Sequence, residues 1–433
     1  MTDTQTYSPL SARSVDGLES RYRSEKRYRR IGLIAIIAGL SFLAFLMISI
    51  AFQGAGAFWK TEVRLDISAA NQQDAGGDAF TLLRTTLRGS LDGASSRKAR
   101  KDAYGLVGAN AEEQLQLALK SRNLAGQKTD NAVSAQSFSI WLSASDEVDV
   151  AIKDGLDSLI ANKGQEGQMT RLSDRQLGWL QTLQQNGDIR TSFNVGFLTG
   201  GDSRDAERAG VGGAIIGSLF TLLICFLLSF FVGVMAAVYL EEFAPKNRWT
   251  MFLEVNINNL ASVPSIIFGL LGLAIFLNAF GLPRSSSLVG GMVLALMTLP
   301  TIIIASRLSL QAVPPSIREA AFGLGATRIQ AVFHHVFPLA LPGMLTGAIL
   351  GMARALGETA PLLMIGMVAF IADPPSNVLD PATALPVQVF LWSDSPERAF
   401  AEKTAGAILI LILFLILMNM SAVLLRKKFE KKW

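Results

Sequence analysis

The sequence has little of what a soluble enzyme uses for chemistry. Its 433 residues include one cysteine and two histidines, and charged residues make up 17%, whereas a soluble domain carries about 25%. One cysteine cannot form an internal disulfide, and so few cysteines and histidines predict no metal site. The sequence contains no Gly-x-x-x-x-Gly-Lys-Ser/Thr phosphate loop. We therefore expect a chain that is not an enzyme, binds no cofactor and does not bind ATP in that way.

The low content of charged residues is accompanied by long apolar runs. Apolar residues make up 50% of the chain and the mean hydropathy is +0.36. Several stretches reach the roughly twenty residues that a membrane-spanning helix needs. Six runs are predicted as transmembrane helices: 31–52, 211–239, 255–280, 288–312, 343–371 and 404–425. The net charge of +4 does not indicate a nucleic-acid partner, because the basic residues cluster beside these runs.

The basic residues also predict the sidedness of the chain. Residues 1–30 are basic, and the run 31–52 is longer than the roughly 7–15 residues of a signal-peptide core, so a membrane anchor is the better interpretation. The loops after the second and fourth runs and the tail 426–433 are basic as well. Six crossings with both termini in the cytoplasm satisfy the positive-inside rule.

A polar stretch separates the first two runs, and we call residues 57–207 the insert domain. Helical periodicity appears at 111–121 and 172–185, whereas 95–101 reads as a loop. We predict a soluble, mostly helical domain on the outer side of the membrane, since it follows a single crossing. Its charges are nearly balanced and we find no catalytic constellation in it.

Polar residues also occur at the start of the third apolar run and at the end of the second. The start of the third run is interrupted by Asn256, Asn258, Asn259 and Pro264. Because polar residues within a span usually face protein or a water-filled cavity, this helix is expected to be buried in the bundle. Glu241 and Glu242 lie where the second run leaves the membrane, and a solvated helix end is the favoured explanation.

Residues 313–342 form the longest predicted cytoplasmic segment between two runs. A Pro-Pro pair at 314–315 ends the preceding helix, and Ser316 with Glu319 forms a potential capping box for a short new one. Gly325 then permits a sharp turn, because glycine adopts positive φ at little cost. From the residues alone, the segment could be an ordinary amphipathic loop or a docking site for another protein.

A pair of opposite charges lies inside the fifth run. An unpaired arginine at mid-membrane costs at least about 3 kcal/mol, and Glu358 follows Arg354 by one helical turn, so the two can neutralise each other. One interpretation is a structural ion pair. The other is an oxyanion site, in which the guanidinium of Arg354 donates to phosphate-like oxygens and Glu358 accepts from a protonated oxygen.

The segment 313–342 resembles the EAA loop of ABC importer permeases. The resemblance is carried by the Glu-Ala-Ala sequence at 319–321, by Gly325 and by Pro338. One departure is His335, which stands where the family usually has an aliphatic residue. In that family the loop seats in a groove of the ATPase subunit and transmits its movement.

Three segments resemble PstA-type permeases of phosphate importers, within a resemblance covering roughly residues 205–433. They are the Ala-Arg-Ala-Leu-Gly-Glu-Thr-Ala-Pro-Leu sequence at 353–362, residues 239–247 and residues 262–272. Many members carry Arg-Thr-Thr-Glu late in the fourth span, whereas residues 304–307 here read Ile-Ala-Ser-Arg. A second charged site is therefore not expected there.

The resemblance implies an all-α integral membrane protein of the bacterial inner membrane. It would have six transmembrane helices, a MetI-like permease bundle over residues 208–425, and the insert domain between the first and second helices. The resemblance implies that Arg354, Glu358 and Thr359 line the phosphate path. The residues implied to couple transport to ATP hydrolysis are Arg318, Glu319, Ala320, Ala321 and Gly325.

The implied partners are a PstC-type second permease, a PstB-type ATPase dimer that uses the ATP, a PstS-type periplasmic phosphate-binding protein, and membrane lipid. Two alternatives remain open. The first is the same machine for molybdate, sulfate or a phosphonate, which the loop alone does not exclude. The second is a membrane sensor, which would be expected to have a cytoplasmic output domain after the last span.

Overall fold

The computed structural model describes residues 12–68, 71, 78–127, 137–161, 172–367 and 370–429. The chain divides into two compact units, Met1–Gln53 and Gly54–Trp433. In the first unit the described residues belong to one helix, α1 (Ala12–Ala55), which contains the predicted first span. The basic residues before that span are part of the same helix.

The insert domain combines a small sheet with short helices. The strands β1 (Trp59–Ile67), β2 (Phe138–Ser143) and β3 (Ile189–Phe193) form an antiparallel sheet in the order β2-β1-β3. The helices are α2 (Ala79–Ser90), α3 (Arg97–Tyr104), α4 (Ala111–Gln127), α5 (Asp146–Lys153), α6 (Leu156–Ala161), α7 (Asp174–Gln185) and α8 (Val195–Thr199).

The mostly helical character of the domain agrees with the prediction, but two details differ. The sheet was not predicted, although the central strand β1 buries Val63, Leu65 and Ile67 in alternation, as a half-buried strand does. The predicted loop at 95–101 is wrong, because Ser96 accepts a hydrogen bond from the backbone N–H of Ala99 and caps α3.

Ten further helices follow the insert domain in the described residues. They are α9 (Gly212–Val238), α10 (Arg248–Ala261), α11 (Ser265–Gly272), α12 (Ser287–Gln311), α13 (Pro315–Gly323), α14 (Arg328–Gln330), α15 (Phe337–Leu356), α16 (Ala360–Met364), α17 (Leu385–Ser393) and α18 (Arg398–Phe429). Wider π-helical segments at Tyr239–Phe243, Leu273–Ala279 and Ala331–Val336 extend α9, α11 and α14.

The helices reproduce the predicted all-α membrane architecture. Within the described part of the chain, five helices are long and apolar enough to cross a membrane, and α10 with α11 forms a bent pair that can serve as a sixth span. The two members of the pair meet at an angle of 102°. The break falls at Pro264, which cannot continue α10 because it lacks the backbone N–H.

The expectation that the third span is buried is wrong for its first half. α10 has no buried residue, and its asparagines Asn256, Asn258 and Asn259 are exposed. α10 lies on the surface of the bundle, where Glu254 contacts Arg307 of α12, and only α11 places residues such as Phe268 and Gly269 in the interior. The polar residues therefore lie on a surface of this chain rather than in its core.

The bundle is centred on α9, α12 and α15, and small residues let these helices approach closely. A Cβ atom on Gly291 of α12 would lie 2.6 Å from Cβ of Ile224 in α9, so only glycine fits there. The predicted fifth span, 343–371, is displaced: its helix ends at Leu356, because the chain makes a turn before α16 begins. Arg354 consequently lies in the last turn of α15 and not within a continuous helix.

The insert domain is fastened to the start of α18. The ammonium of Lys153 in α5 lies 2.6 Å from Asp149, 3.0 Å from Glu402 of α18 and 3.0 Å from the carbonyl oxygen of Gly56. Gly54 packs directly on the backbone of Ala405. A partly buried ion-pair cluster and a close backbone contact thus join the domain to the last helix.

Candidate transport site and coupling segment

Arg354 presents an open guanidinium at the end of α15. Its side chain is 48% exposed, and its Nε lies 3.6 Å from Oε1 of Glu358. That distance is an ion pair but is too long for a hydrogen bond, so the N–H donors of Arg354 remain available. Within the described residues, its guanidinium has no other charged or hydrogen-bonded partner. The structure thus brings the predicted pair together and leaves its donors free.

The pair is positioned by the turn that ends the helix. The N–H of Gly357 donates to the carbonyl of Arg354, and the N–H of Glu358 donates to the carbonyl of Ala355. Thr359 precedes α16, and its carbonyl accepts the N–H of Leu363 at 3.0 Å. The sequence had predicted that Arg354 and Glu358 lie one turn apart on the same helical face. In the structure they face each other across the end of a helix instead.

The turn is supported from behind by α11. A Cβ atom on Gly269 would lie 2.7 Å from Cα of Pro361 and 2.9 Å from its carbonyl oxygen. These are backbone atoms that cannot move aside as the end of a side chain would. Gly269 therefore fixes the distance between α11 and the segment that carries Glu358 and Thr359.

We expect Gly269→Ala to lower solute uptake by about tenfold, because moving the turn by an ångström misplaces the charged pair. Uptake in cells that carry the variant as their only copy measures this effect. Gly213→Ala in α9 is a matched control, since its Cβ would meet atoms no closer than 3.8 Å. Equal uptake in both variants would contradict a supporting role for Gly269.

The segment 313–342 forms a helix, a turn and a second helix, as predicted, but its caps differ. α13 begins at Pro315 after Pro314, and no side chain caps it, so the proposed Ser316–Glu319 capping box is wrong. A capping box instead joins Thr327 and Gln330 after the turn. The φ of Gly325 is +82°, which confirms the predicted glycine turn.

The predicted coupling residues point in different directions. Glu319, Ala320 and Gly325 are exposed, whereas Ala321 is buried and Arg318 turns inward. Apolar side chains that were not predicted project at the turn: Leu324 is 90% exposed and Ile329 is 62% exposed. An exposed apolar tip beside exposed polar residues is typical of a protein-docking surface.

A charged cluster at the end of α9 was not found from the sequence. Glu242 is 7% exposed and lies 2.6 Å from Nη2 of Arg318, so the expected solvated helix end is wrong. Glu241 pairs with Arg307 at 3.3 Å, and Arg307 also contacts Glu254 of α10 at 2.8 Å. Glu241 and Glu242 pair with arginines that lie 66 and 76 positions later in the chain. A sequence pattern of residues three or four positions apart does not reveal such pairs.

A cavity of about 640 Å³ lies elsewhere, between the insert domain and the start of α18. Its lining includes Asp146, Glu207 and Glu397 as well as Arg398. Burial, and next the negative charge of Glu207, raises the pKa of Asp146 to about 7. This mainly acidic lining is unsuited to an anion, so the cavity does not compete with Arg354 as an oxyanion site.

Two family models match the chain. Residues 15–161 match a domain of unknown function, DUF3333, and residues 229–433 match the inner membrane component of binding-protein-dependent transport systems. The phosphate transport system permease protein PstA of Yersinia pestis is 32% identical over 224 residues, which are 52% of this chain and 73% of the relative. This chain belongs to the PstA-type family of ABC transporter permeases.

The chain is also similar to other transport proteins. PstA of Mycobacterium leprae is 32% identical over 49% of this chain and 68% of the relative. A probable ABC transporter permease of Bacillus subtilis, YqgI, is 29% identical over 55% of this chain and 84% of the relative. A crystal structure of the inward-facing MetNI methionine ABC transporter aligns with a TM-score of 0.41 at 17% identity, over 51% of this chain and 98% of that chain.

As a PstA-type permease, the chain is a multi-pass inner membrane protein and a transport subunit of an ABC importer. An importer of this kind works with an ATPase and a substrate-binding protein. The family match to residues 229–433 includes the Arg354 site and the whole coupling segment. The insert domain lies before this match, and the DUF3333 model covers part of it.

Proposed function

We propose that this chain passes inorganic phosphate through the inner membrane by alternating access. The observation that carries the proposal is the half-exposed guanidinium of Arg354 at the end of α15, whose N–H donors stay available beside Glu358. Burying such a charge partly in a membrane protein is costly, and intramembrane ionisable residues mark solute pathways by default. The PstA relatives support phosphate as the solute.

The chemistry of the pair suits hydrogen phosphate better than a fully ionised oxyanion. Arg354 offers planar donors to the phosphate oxygens, and Glu358 at 3.6 Å is close enough to share the same ligand. A carboxylate can accept a hydrogen bond from the proton that phosphate retains near neutral pH. Sulfate and molybdate carry no such proton and would be repelled by Glu358. Thr359, beside Glu358, lines the same path in this proposal.

The partners in this proposal are a PstC-type permease, a PstB-type ATPase dimer and a PstS-type phosphate-binding protein. The chain itself binds no cofactor, and ATP is consumed by the ATPase. Leu324 and Ile329 enter a groove of the ATPase, and Glu319 and Ala320 flank the contact. Both termini and the coupling segment face the cytoplasm, and the insert domain faces the periplasm.

Uptake by a strain that lacks this chain and every other phosphate importer tests the proposal. Radiolabelled phosphate, sulfate and molybdate are supplied separately at micromolar concentration, with and without a plasmid that carries the wild-type gene. We expect the plasmid to restore phosphate uptake alone. Restoration of sulfate or molybdate uptake would instead identify another oxyanion as the solute, and no restoration of phosphate uptake would refute the proposal.

A further inference from the structure

The end of α9 is held by the coupling segment from both sides of its turn. The π-helical segment Tyr239–Phe243 closes with a hydrogen bond from the N–H of Ala244 to the carbonyl of Tyr239 at 2.7 Å. Arg318, which precedes the turn at Gly325, contacts Glu242. Arg328, which follows the turn, places its guanidinium 5.5 Å from the ring centre of Phe243. The coupling segment thus encloses a short piece of the second span.

The contact between Arg318 and Glu242 is direct and largely shielded from water. Nη2 donates to Oε1 of Glu242 at 2.6 Å, and Nε donates to Oε1 at 3.2 Å. The same guanidinium donates to the carbonyls of Leu310 and Val313, at the end of α12, at 3.0 and 2.9 Å. Arg318 therefore joins three elements: the coupling helix α13, the fourth span and the second span.

The neighbouring residue Glu241 makes a separate connection. It accepts hydrogen bonds from Arg307 at 3.3 Å and from Gln311 at 2.9 Å, both in α12. Consecutive residues thus contact different partners, since the side chains of Glu241 and Glu242 project in different directions from the wider π-helical turn. Such turns occur frequently at functional sites. Glu241 ties the second span to the fourth, and Glu242 alone of the two ties it to the coupling helix.

We propose that the ion pair of Arg318 and Glu242 transmits the movement of the ATPase to the second span. The coupling segment is continuous in sequence with the fourth and fifth spans, which it can move without further contacts. The second span has no such covalent link and is moved through noncovalent contacts, among which the contact of Glu242 with Arg318 reaches the coupling helix α13 itself. Glu242 and Arg318 are positioning residues in this role, which rests on the proposed coupling function of residues 313–342.

The first test compares Glu242→Gln with Glu241→Gln in the assembled importer in lipid vesicles. Glutamine keeps the size of the side chain and removes the charge. We expect Glu242→Gln to lower the phosphate transported per ATP hydrolysed by about tenfold, with ATP hydrolysis maintained. Glu241→Gln should keep a ratio near that of the wild type. An unchanged ratio in Glu242→Gln, or an equal loss in both variants, would overturn the proposal.

A second measurement follows the spans and does not depend on the identity of the solute. Spin labels are placed through Leu219→Cys in α9 or Leu350→Cys in α15, both exposed positions, while the native Cys225 is buried. In the wild type, trapping the complex with ATP and vanadate should change both spectra. In Glu242→Gln, only the α15 label should respond.

The outcomes of this measurement separate the two proposals. If both labels still respond in Glu242→Gln, the role of the ion pair is wrong while the coupling role of the segment stands. If neither label responds even in the wild type, the coupling role itself is wrong and the ion-pair proposal falls with it. A Glu242→Asp variant with partly restored response would support a positional requirement for the carboxylate.

Discussion

Replacing Arg354 with alanine should lower phosphate uptake by about a hundredfold, while the importer still assembles. The substitution removes the guanidinium that donates to the anion, and the loss of even one charge-assisted hydrogen bond of about 1.5–3 kcal/mol accounts for an effect of this size. It also leaves Glu358 without its partner at 3.6 Å, so that a negative charge faces the incoming phosphate. Uptake of radiolabelled phosphate measures the effect, and co-purification with the ATPase measures assembly.

Two further variants separate solute binding from a purely structural ion pair. Arg354→Lys keeps the charge but loses the planar set of donors, and uptake should stay at least about tenfold below that of the wild type. The double variant Arg354→Met with Glu358→Leu removes both charges and keeps much of the volume. Apolar replacement of an ion pair is often neutral or stabilising, so high uptake in the double variant would show that the pair is only structural.

Gly325→Val should lower uptake by about tenfold. It should also lower the ratio of uptake to ATP hydrolysis by the ATPase. The φ of Gly325 is +82°, a conformation that costs most residues roughly 1–2 kcal/mol and that a β-branched side chain tolerates poorly. No atom lies within 4 Å of the position that a Cβ would take, so the cost comes from the backbone and not from crowding. The exposed tip formed by Leu324 would then move out of its docking position.

The matched control at this position is Gly325→Asn. Asparagine tolerates positive φ better than other residues with a side chain, and the open space around Gly325 accommodates it. We expect uptake in Gly325→Asn to remain within about twofold to threefold of the wild type. The ratio of uptake to ATP hydrolysis should be measured in both variants. An equal decrease in that ratio would mean that the surface of the turn matters more than its backbone conformation.

The spans and the glycine turn could be predicted because their signals are local. Apolar runs have the length of the membrane, and Gly325 lies in a segment whose prolines and glycine leave few other conformations. The pairing of Arg354 with Glu358 could also be predicted, since the two residues are four positions apart. Its setting was not, because the helix ends at Leu356 and the chain after the turn packs on α11, where Pro361 lies against Gly269, a residue distant in sequence.

Two of the wrong predictions have a long-range cause, and the one at Ser316 has a local cause. Glu242 was interpreted as solvated because its partner, Arg318, is far away in the sequence. Ser316 was interpreted as a cap because its spacing to Glu319 fits a capping box, yet the fixed φ of proline let α13 begin at Pro315 instead. The sheet of the insert domain pairs β1 with strands that lie far along the chain. Long-range pairing leaves no trace in a short sequence window.

The junction between the insert domain and the last helix has a consequence for protein engineering. Gly54 lies against the backbone of Ala405, and Gly406 lies against Ala57, so each side of the junction is shaped by a glycine of its own. Lys153 of the domain is likewise matched to Glu402 of the helix. A chimaera that grafts residues 54–207 onto a shorter permease is therefore expected to need Glu402 and Gly406 in the recipient helix as well. Lys153 and Glu402 therefore have to be transferred together, although they lie 249 positions apart in the chain.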